Sequence, residues 1–163
     1  MRRVLVLTLI AAGLAAPALA AGDRIAPGRS IGPLAVGDER ASIAARLGGD
    51  GVVIRRTRND AAPGNRNLDR GVVAYPALAL TARFPTDEAS TQATAVATRS
   101  PRYRTGAGIG VGATRAALLR AHPRASCDGA VCRLRRTAGL TRFHLAGGRV
   151  ARIAVSRYPL SSG

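Results

Sequence analysis

Lysine and tryptophan are absent from this 163-residue chain, and aromatic residues make up only 3% of it. Tyr75, Phe84, Tyr103, Phe143 and Tyr158 are the whole aromatic stock. None is interleaved with the densest arginine runs, Arg55-Arg56-Thr57-Arg58 and Arg133-Leu134-Arg135-Arg136, so nucleic-acid bases have no platform to stack on. The same shortage withholds the tryptophan and tyrosine anchors that dominate tight protein interfaces. Histidine occurs only as His122 and His144, too sparse for a metal cage. Two cysteines exclude a disulfide-stapled miniprotein.

Catalytic patterns are missing as well. No nucleophile-elbow motif occurs. Asp87-Glu88 is an adjacent pair in a turn, where the side chains diverge into solvent. Gly106-Ala107-Gly108-Ile109-Gly110-Val111-Gly112 lacks the lysine and the strand–helix context of a phosphate loop. His122 precedes Pro123 at a helix end and reads as a contact with the helix dipole. His144 sits on a polar strand face without a nucleophile beside it. No enzyme activity, no cofactor and no metal are expected.

What the chain does have is arginine and alanine. All 25 basic residues are arginine, the formal charge is +16, and alanine occurs 33 times. The arginines are scattered along the sequence, and a compositional bias that replaces lysine throughout accounts for them without a nucleic-acid partner. Loose attraction to anionic surfaces follows from the charge in either case.

Residues 1–20 read as a cleaved secretory signal. Arg2 and Arg3 precede the apolar stretch Val4 to Leu14, Pro17 breaks the helix, and Ala18-Leu19-Ala20 offers small residues for cleavage. The stretch is short for a membrane span of ~20 residues, and no charged stop-transfer flank follows it. No cysteine follows it either, so no lipid is expected and the mature protein is placed outside the membrane, in the periplasm or the medium. In that oxidising setting Cys127 and Cys132 read as a disulfide, against a redox pair or half of a metal site.

The remaining chain has the length of one domain, or of two very small ones sharing a core. It carries one passage twice: Val36-Gly37-Asp38-Glu39-Arg40-Ala41-Ser42-Ile43 and Val111-Gly112-Ala113-Thr114-Arg115-Ala116-Ala117-Leu118. Later blocks follow in the same order. Leu80-Thr81-Ala82-Arg83-Phe84 matches Leu140-Thr141-Arg142-Phe143, and Ala95 to Pro101 matches Ala154 to Pro159. Such a period implies a duplicated unit. The expected organisation is repeat 1 over residues 21–101 with a polar loop at 59–70, repeat 2 over 102–159, and a tail at 160–163. The expected fold class is α+β, each repeat a short helical segment packed on antiparallel strands. Asp38 or Glu39, and Thr114, are placed to cap the helices, and Gly48-Gly49 and Pro123 to end them.

The last hairpin admits a finer expectation. Thr141, Phe143 and Leu145 alternate with Arg142 and His144, and Ala151, Ile153 and Val155 alternate with Arg152. A two-residue Gly147-Gly148 loop would pair Phe143 with Arg152 and mix the faces. A three-residue loop keeps the apolar faces together. Arg142, His144 and Arg152 would then share the outer face and form the candidate binding residues.

The passage Val111-Gly112-Ala113-Thr114-Arg115-Ala116-Ala117-Leu118-Leu119 resembles the Gly-Met-Thr-Arg-x-x-Val/Leu helix start of two related families. These are the secreted β-lactamase inhibitory proteins and the BamE-type lipoproteins of outer-membrane assembly. The resemblance implies tandem units of helix plus antiparallel strands, with a disulfide after the helix where Cys127 and Cys132 lie. It also implies binding through a concave sheet. The first copy departs from the pattern, with Asp38-Glu39 in place of Met-Thr and no cysteine pair. The expected function is a secreted, non-catalytic protein-binding module whose partner lies in the envelope or medium. The alternative is a cationic envelope protein that binds anionic polymers.

Overall fold

The computed structural model describes residues 21–57, 70–86 and 89–157. The signal segment 1–20, nearly all of the 59–70 loop, Asp87-Glu88 and the 160–163 tail lie outside these residues. In chain order the elements are β1 (Arg24–Ala26), β2 (Ser30–Ile31), β3 (Leu34–Ala35), α1 (Arg40–Leu47), β4 (Val52–Thr57), β5 (Arg70–Tyr75), β6 (Leu80–Phe84) and β7 (Ala95–Thr98). They continue with β8 (Arg104–Thr105), α2 (Arg115–Ala121), β9 (Ser126–Asp128), β10 (Val131–Arg136), β11 (Gly139–Ala146) and β12 (Arg149–Ser156).

The expectation of an α+β fold built of helix-on-strand repeats is corrected. The described structure is mostly β: an eight-stranded antiparallel sheet ordered β4-β5-β6-β7-β12-β11-β10-β9, and a small sheet ordered β3-β2-β1-β8. The helices have only eight and seven residues. Gly48 takes the left-handed conformation that closes α1, and α2 stops at His122, ahead of Pro123. The strands β1, β2, β3, β8 and β9 have two or three residues each, too few to display a period-two pattern in sequence.

One face of the large sheet supplies Val73, Phe84, Val96, Phe143 and Ile153 to the core. They cluster with Ile25, Ile31 and Leu34 of the small sheet, Ile43 of α1 and Leu118 of α2. Each helix therefore contributes one fully buried side chain, with Leu47, Ala117 and Ala121 packed partly against the cluster. Helices this short depend on such packing for their stability. Among the described residues no helix packs on the other face of the large sheet.

The two Val-Gly passages dock in the same way. Gly37 donates to the Ala93 carbonyl and Gly112 to that of Val150. Ala93 and Val150 donate back to Asp38 and Ala113, and the first helical amides, Arg40 and Arg115, donate to Thr91 and Gly148. Gly37 and Gly112 have φ of 98° and 92°, a region that glycine enters without strain. The caps differ. Thr114 Oγ1 accepts from the Ala117 amide at 3.1 Å, whereas Glu39 makes no side-chain cap. Asp38 does not cap α1 either: its carboxylate accepts from the Ala35 amide and from Arg46.

The β11–β12 hairpin corrects a second expectation. Ala146 pairs with Arg149, so the loop is the two-residue Gly147-Gly148 turn, both glycines at positive φ. Phe143 nevertheless pairs with Ile153, because the register shifts after His144 and leaves Ala151 as the extra residue of a bulge. The apolar faces stay together as the alternation requires, and a bulge rather than a longer loop achieves it.

Candidate functional site

Residues paired across antiparallel strands project from the same face. His144 pairs with Arg152, and Arg142 with Ala154, so the three predicted residues do share the outer face of the large sheet. The sheet then adds two residues that the sequence did not single out. Arg83 pairs with Ala95, two positions from the Thr81–Ala97 pair, which continues the row through Ala154 and Arg142. Arg99 follows Thr98, the partner of Ile153, and so lies beside Arg152. The sequence signal for Arg83 was its alternation with Thr81 along β6, but only the strand order β6-β7-β12-β11 brings the four arginines together.

The centre of this face is built of small residues. Ala97 and Ala154 pair across the β7–β12 seam, with Thr81 next in the row. Both alanines are buried, yet neither belongs to the core cluster. They line one depression together with Arg83, Arg142 and Arg152, residue types whose long apolar stems cover such a floor while the charge reaches water. Two adjoining depressions of about 440 and 220 Å3 open here, and both are lined by Arg83, Thr81, Ala97 and Arg152.

The electrostatics are one-sided. Among the described residues no carboxylate pairs with Arg83, Arg99, Arg142 or Arg152, and the ion pairs Arg46–Asp38, Arg102–Asp23 and Arg133–Asp128 do not involve them. Arg142 donates to Ser156 Oγ at 3.1 Å. Burial lowers the pKa of Arg152, and the charges of Arg99 and Arg83 lower it further, although a guanidinium stays charged at any ordinary pH. Burial also lowers the pKa of His144, helped by Arg152, Arg142, Arg133 and Arg99. The imidazole is thus held neutral inside a ring of fixed positive charge.

His122 lies elsewhere, and the dipole contact expected for it is corrected. It is buried at the end of α2, its ring stacked on Phe143 with centroids 6.1 Å apart. The Ile109 amide donates to Thr105 Oγ1, and that hydroxyl lies 3.2 Å from His122 Nε2. Burial, and secondarily Arg136, lower the pKa of His122. An uncharged ring that ties α2 to β8 is a structural element.

Cys127 and Cys132 form a disulfide across the β9–β10 hairpin, where they are directly paired. No cluster of metal-ligating side chains occurs among the described residues. No helix among them is long and apolar enough to cross a membrane. No protein-family model, curated protein or solved structure matches the chain.

Proposed function

We propose that this is a secreted, non-catalytic binding protein that engages another protein of the envelope or medium through the outer face of its eight-stranded sheet. The observation that carries the reading is a sheet face over which no described helix lies, floored by Ala97 and Ala154 and rimmed by arginines with no described carboxylate partner. Such a surface is electrostatically incomplete, and an acidic partner completes it. Resemblance at Val111 to Leu119 to the secreted inhibitory proteins supports sheet-mediated binding, and the signal-like residues 1–20 support export. Against hydrolysis stands the setting of His144, whose neighbours are arginines rather than a nucleophile or an acid.

The test is capture from the producing organism's envelope and medium, with a photo-crosslinker placed at Ala95 on the outer face or at Arg120 on α2. A single protein crosslinked from Ala95 and not from Arg120, and retained at moderate salt, supports the reading. Crosslinking from both positions alike overturns it. The arginine rim also favours a second reading, a cationic protein that holds anionic polymers. Binding that collapses steeply between low and moderate salt supports that one.

A further inference from the structure

The outer face is not uniformly basic. Its arginines converge on the alanine floor from four directions: Arg83 on β6, Arg99 just past β7, Arg152 on β12 and Arg142 on β11. We propose that this depression is a carboxylate receptor, which takes Asp or Glu side chains of the partner protein between the guanidinium groups of Arg83, Arg99, Arg142 and Arg152. The inference rests on the protein-binding reading and adds the chemistry of what is bound.

Three observations support it. The floor is cut back to alanine where β7 meets β12, and two adjoining spaces of about 440 and 220 Å3 open there, room for a few side chains and too small for a folded element. The walls present planar guanidinium forks that match a carboxylate with two parallel hydrogen bonds. Arg99 and Arg83 line the same depression as Arg152 and lie close enough to disfavour its charge, a cost that an incoming anion offsets.

The choice of a protein carboxylate over a nucleic acid or a polysaccharide is supported by the lack of tyrosine, tryptophan and phenylalanine on the described part of this face. Tyr75, Phe84, Tyr103 and Phe143 are all buried in the core on the other side of the sheet. On the described part of the arginine-lined face His144 is the one ring that a sugar or a base could meet, and arginines surround it. The guanidinium groups meet the charge of an acidic side chain, and Ile54 and Val72, which line the same space, meet the apolar parts of the partner chain around it.

The test titrates the protein, in buffer of moderate salt, with an end-capped hexaglutamate peptide, and follows backbone amide shifts by NMR. Parallel titrations use inorganic phosphate and a sulfated polysaccharide. The expected result is saturable peptide binding, with shifts centred on Ala97, Ala154 and Thr81. Arg83→Gln combined with Arg152→Gln should weaken it at least tenfold. Arg115→Gln combined with Arg120→Gln removes the same charge from α2 and should leave it within twofold. Equal weakening by both pairs overturns the proposal in favour of net-charge attraction. Tighter binding of phosphate or the polysaccharide at the same residues overturns it in favour of a different anion. If Arg83→Gln/Arg152→Gln still captures the crosslinked partner undiminished, the receptor falls while the protein-binding reading stands. Circular dichroism of each variant establishes that it is folded.

Discussion

Ala97 and Ala154 face each other across β7 and β12, and the strand order runs outward from that pair as β6-β5-β4 on one side and β11-β10-β9 on the other. Their methyl groups are the floor around which the arginines gather. Ala154→Glu places a carboxylate at the floor without a partner protein. The variant should be more stable than the parent by about 0.5–1 kcal/mol, the range of a partly exposed ion pair. The pKa of His144 should rise, because a nearby negative charge favours its imidazolium. Urea unfolding measures the first effect and an NMR titration of the His144 ring the second; an unchanged ring titration would contradict the geometry.

Two buried tyrosines should respond oppositely to the loss of a hydroxyl. Tyr103 donates to the Leu78 carbonyl at 2.6 Å and is fully buried. Tyr75 Oη is buried with no hydrogen-bond partner among the described residues. Tyr103→Phe should lower stability by about 1–2 kcal/mol, because it strands a carbonyl and removes a bond. Tyr75→Phe should leave stability unchanged or raise it, since an unpaired buried hydroxyl costs desolvation and returns nothing. Paired denaturant curves decide the matter.

Acid should weaken the fold through His122. Its folded pKa lies below the ordinary value near 6.5 because of burial, so the unfolded chain takes up a proton at higher pH than the native one. Between the two values the unfolded state holds more protons, and stability falls as pH falls. The contribution is complete above about pH 6.5 and declines below it. Between pH 7.5 and 5.5 the unfolding free energy should drop in the parent and drop less in His122→Gln. His144 has the same sign, so His144→Gln should remove a further part of the slope.

Gly139 has φ of 150°, and a Cβ built there would come within 2.6 Å of the Gly28 carbonyl oxygen and also clash with that of Ser156. Both are backbone atoms, which cannot swing aside. Gly28 in turn donates its amide to Thr141 Oγ1 at 2.7 Å, so this contact docks the segment after β1 on β11. Gly139→Ala should cost more than about 3 kcal/mol, among the largest effects of a single substitution. Gly129→Ala, at positive φ but in open space, should cost about 1–2 kcal/mol from backbone strain alone. Thermal melts of the two variants provide the comparison.

Reduction of Cys127–Cys132 should be mild. The bond closes a short loop across a hairpin already paired by β9 and β10. Its entropic contribution is about 2 kcal/mol. A reductant should lower the melting temperature and leave the circular dichroism spectrum native-like at 25 °C.

Local chemistry made part of this legible from the residues. The alternation of Thr141, Phe143 and Leu145 with Arg142 and His144 assigned both faces of β11, because a strand sends successive side chains to opposite sides. It did not reveal how the register is kept: a bulge at Ala151 and a longer loop satisfy the same alternation. The sequence match of Arg83-Phe84 with Arg142-Phe143 also misleads in space. Arg142 lies across from Ala154 as Thr81 lies across from Ala97, while Arg83, opposite Ala95, stands where His144 stands opposite Arg152.

The residues by themselves determined where α2 begins and where both helices end, which pair of cysteines meets, and which side of the last hairpin is apolar. Each of these depends on neighbours a few positions away: Thr114 on the Ala117 amide, Gly48 on its own φ, Cys127 on Cys132. The tertiary structure decided that the molecule is mostly sheet and that Arg83 and Arg99 join Arg142 and Arg152. Pairing of β7 with β12 brings together segments more than fifty residues apart. Among 25 arginines no single one announces by its neighbours which it will stand beside.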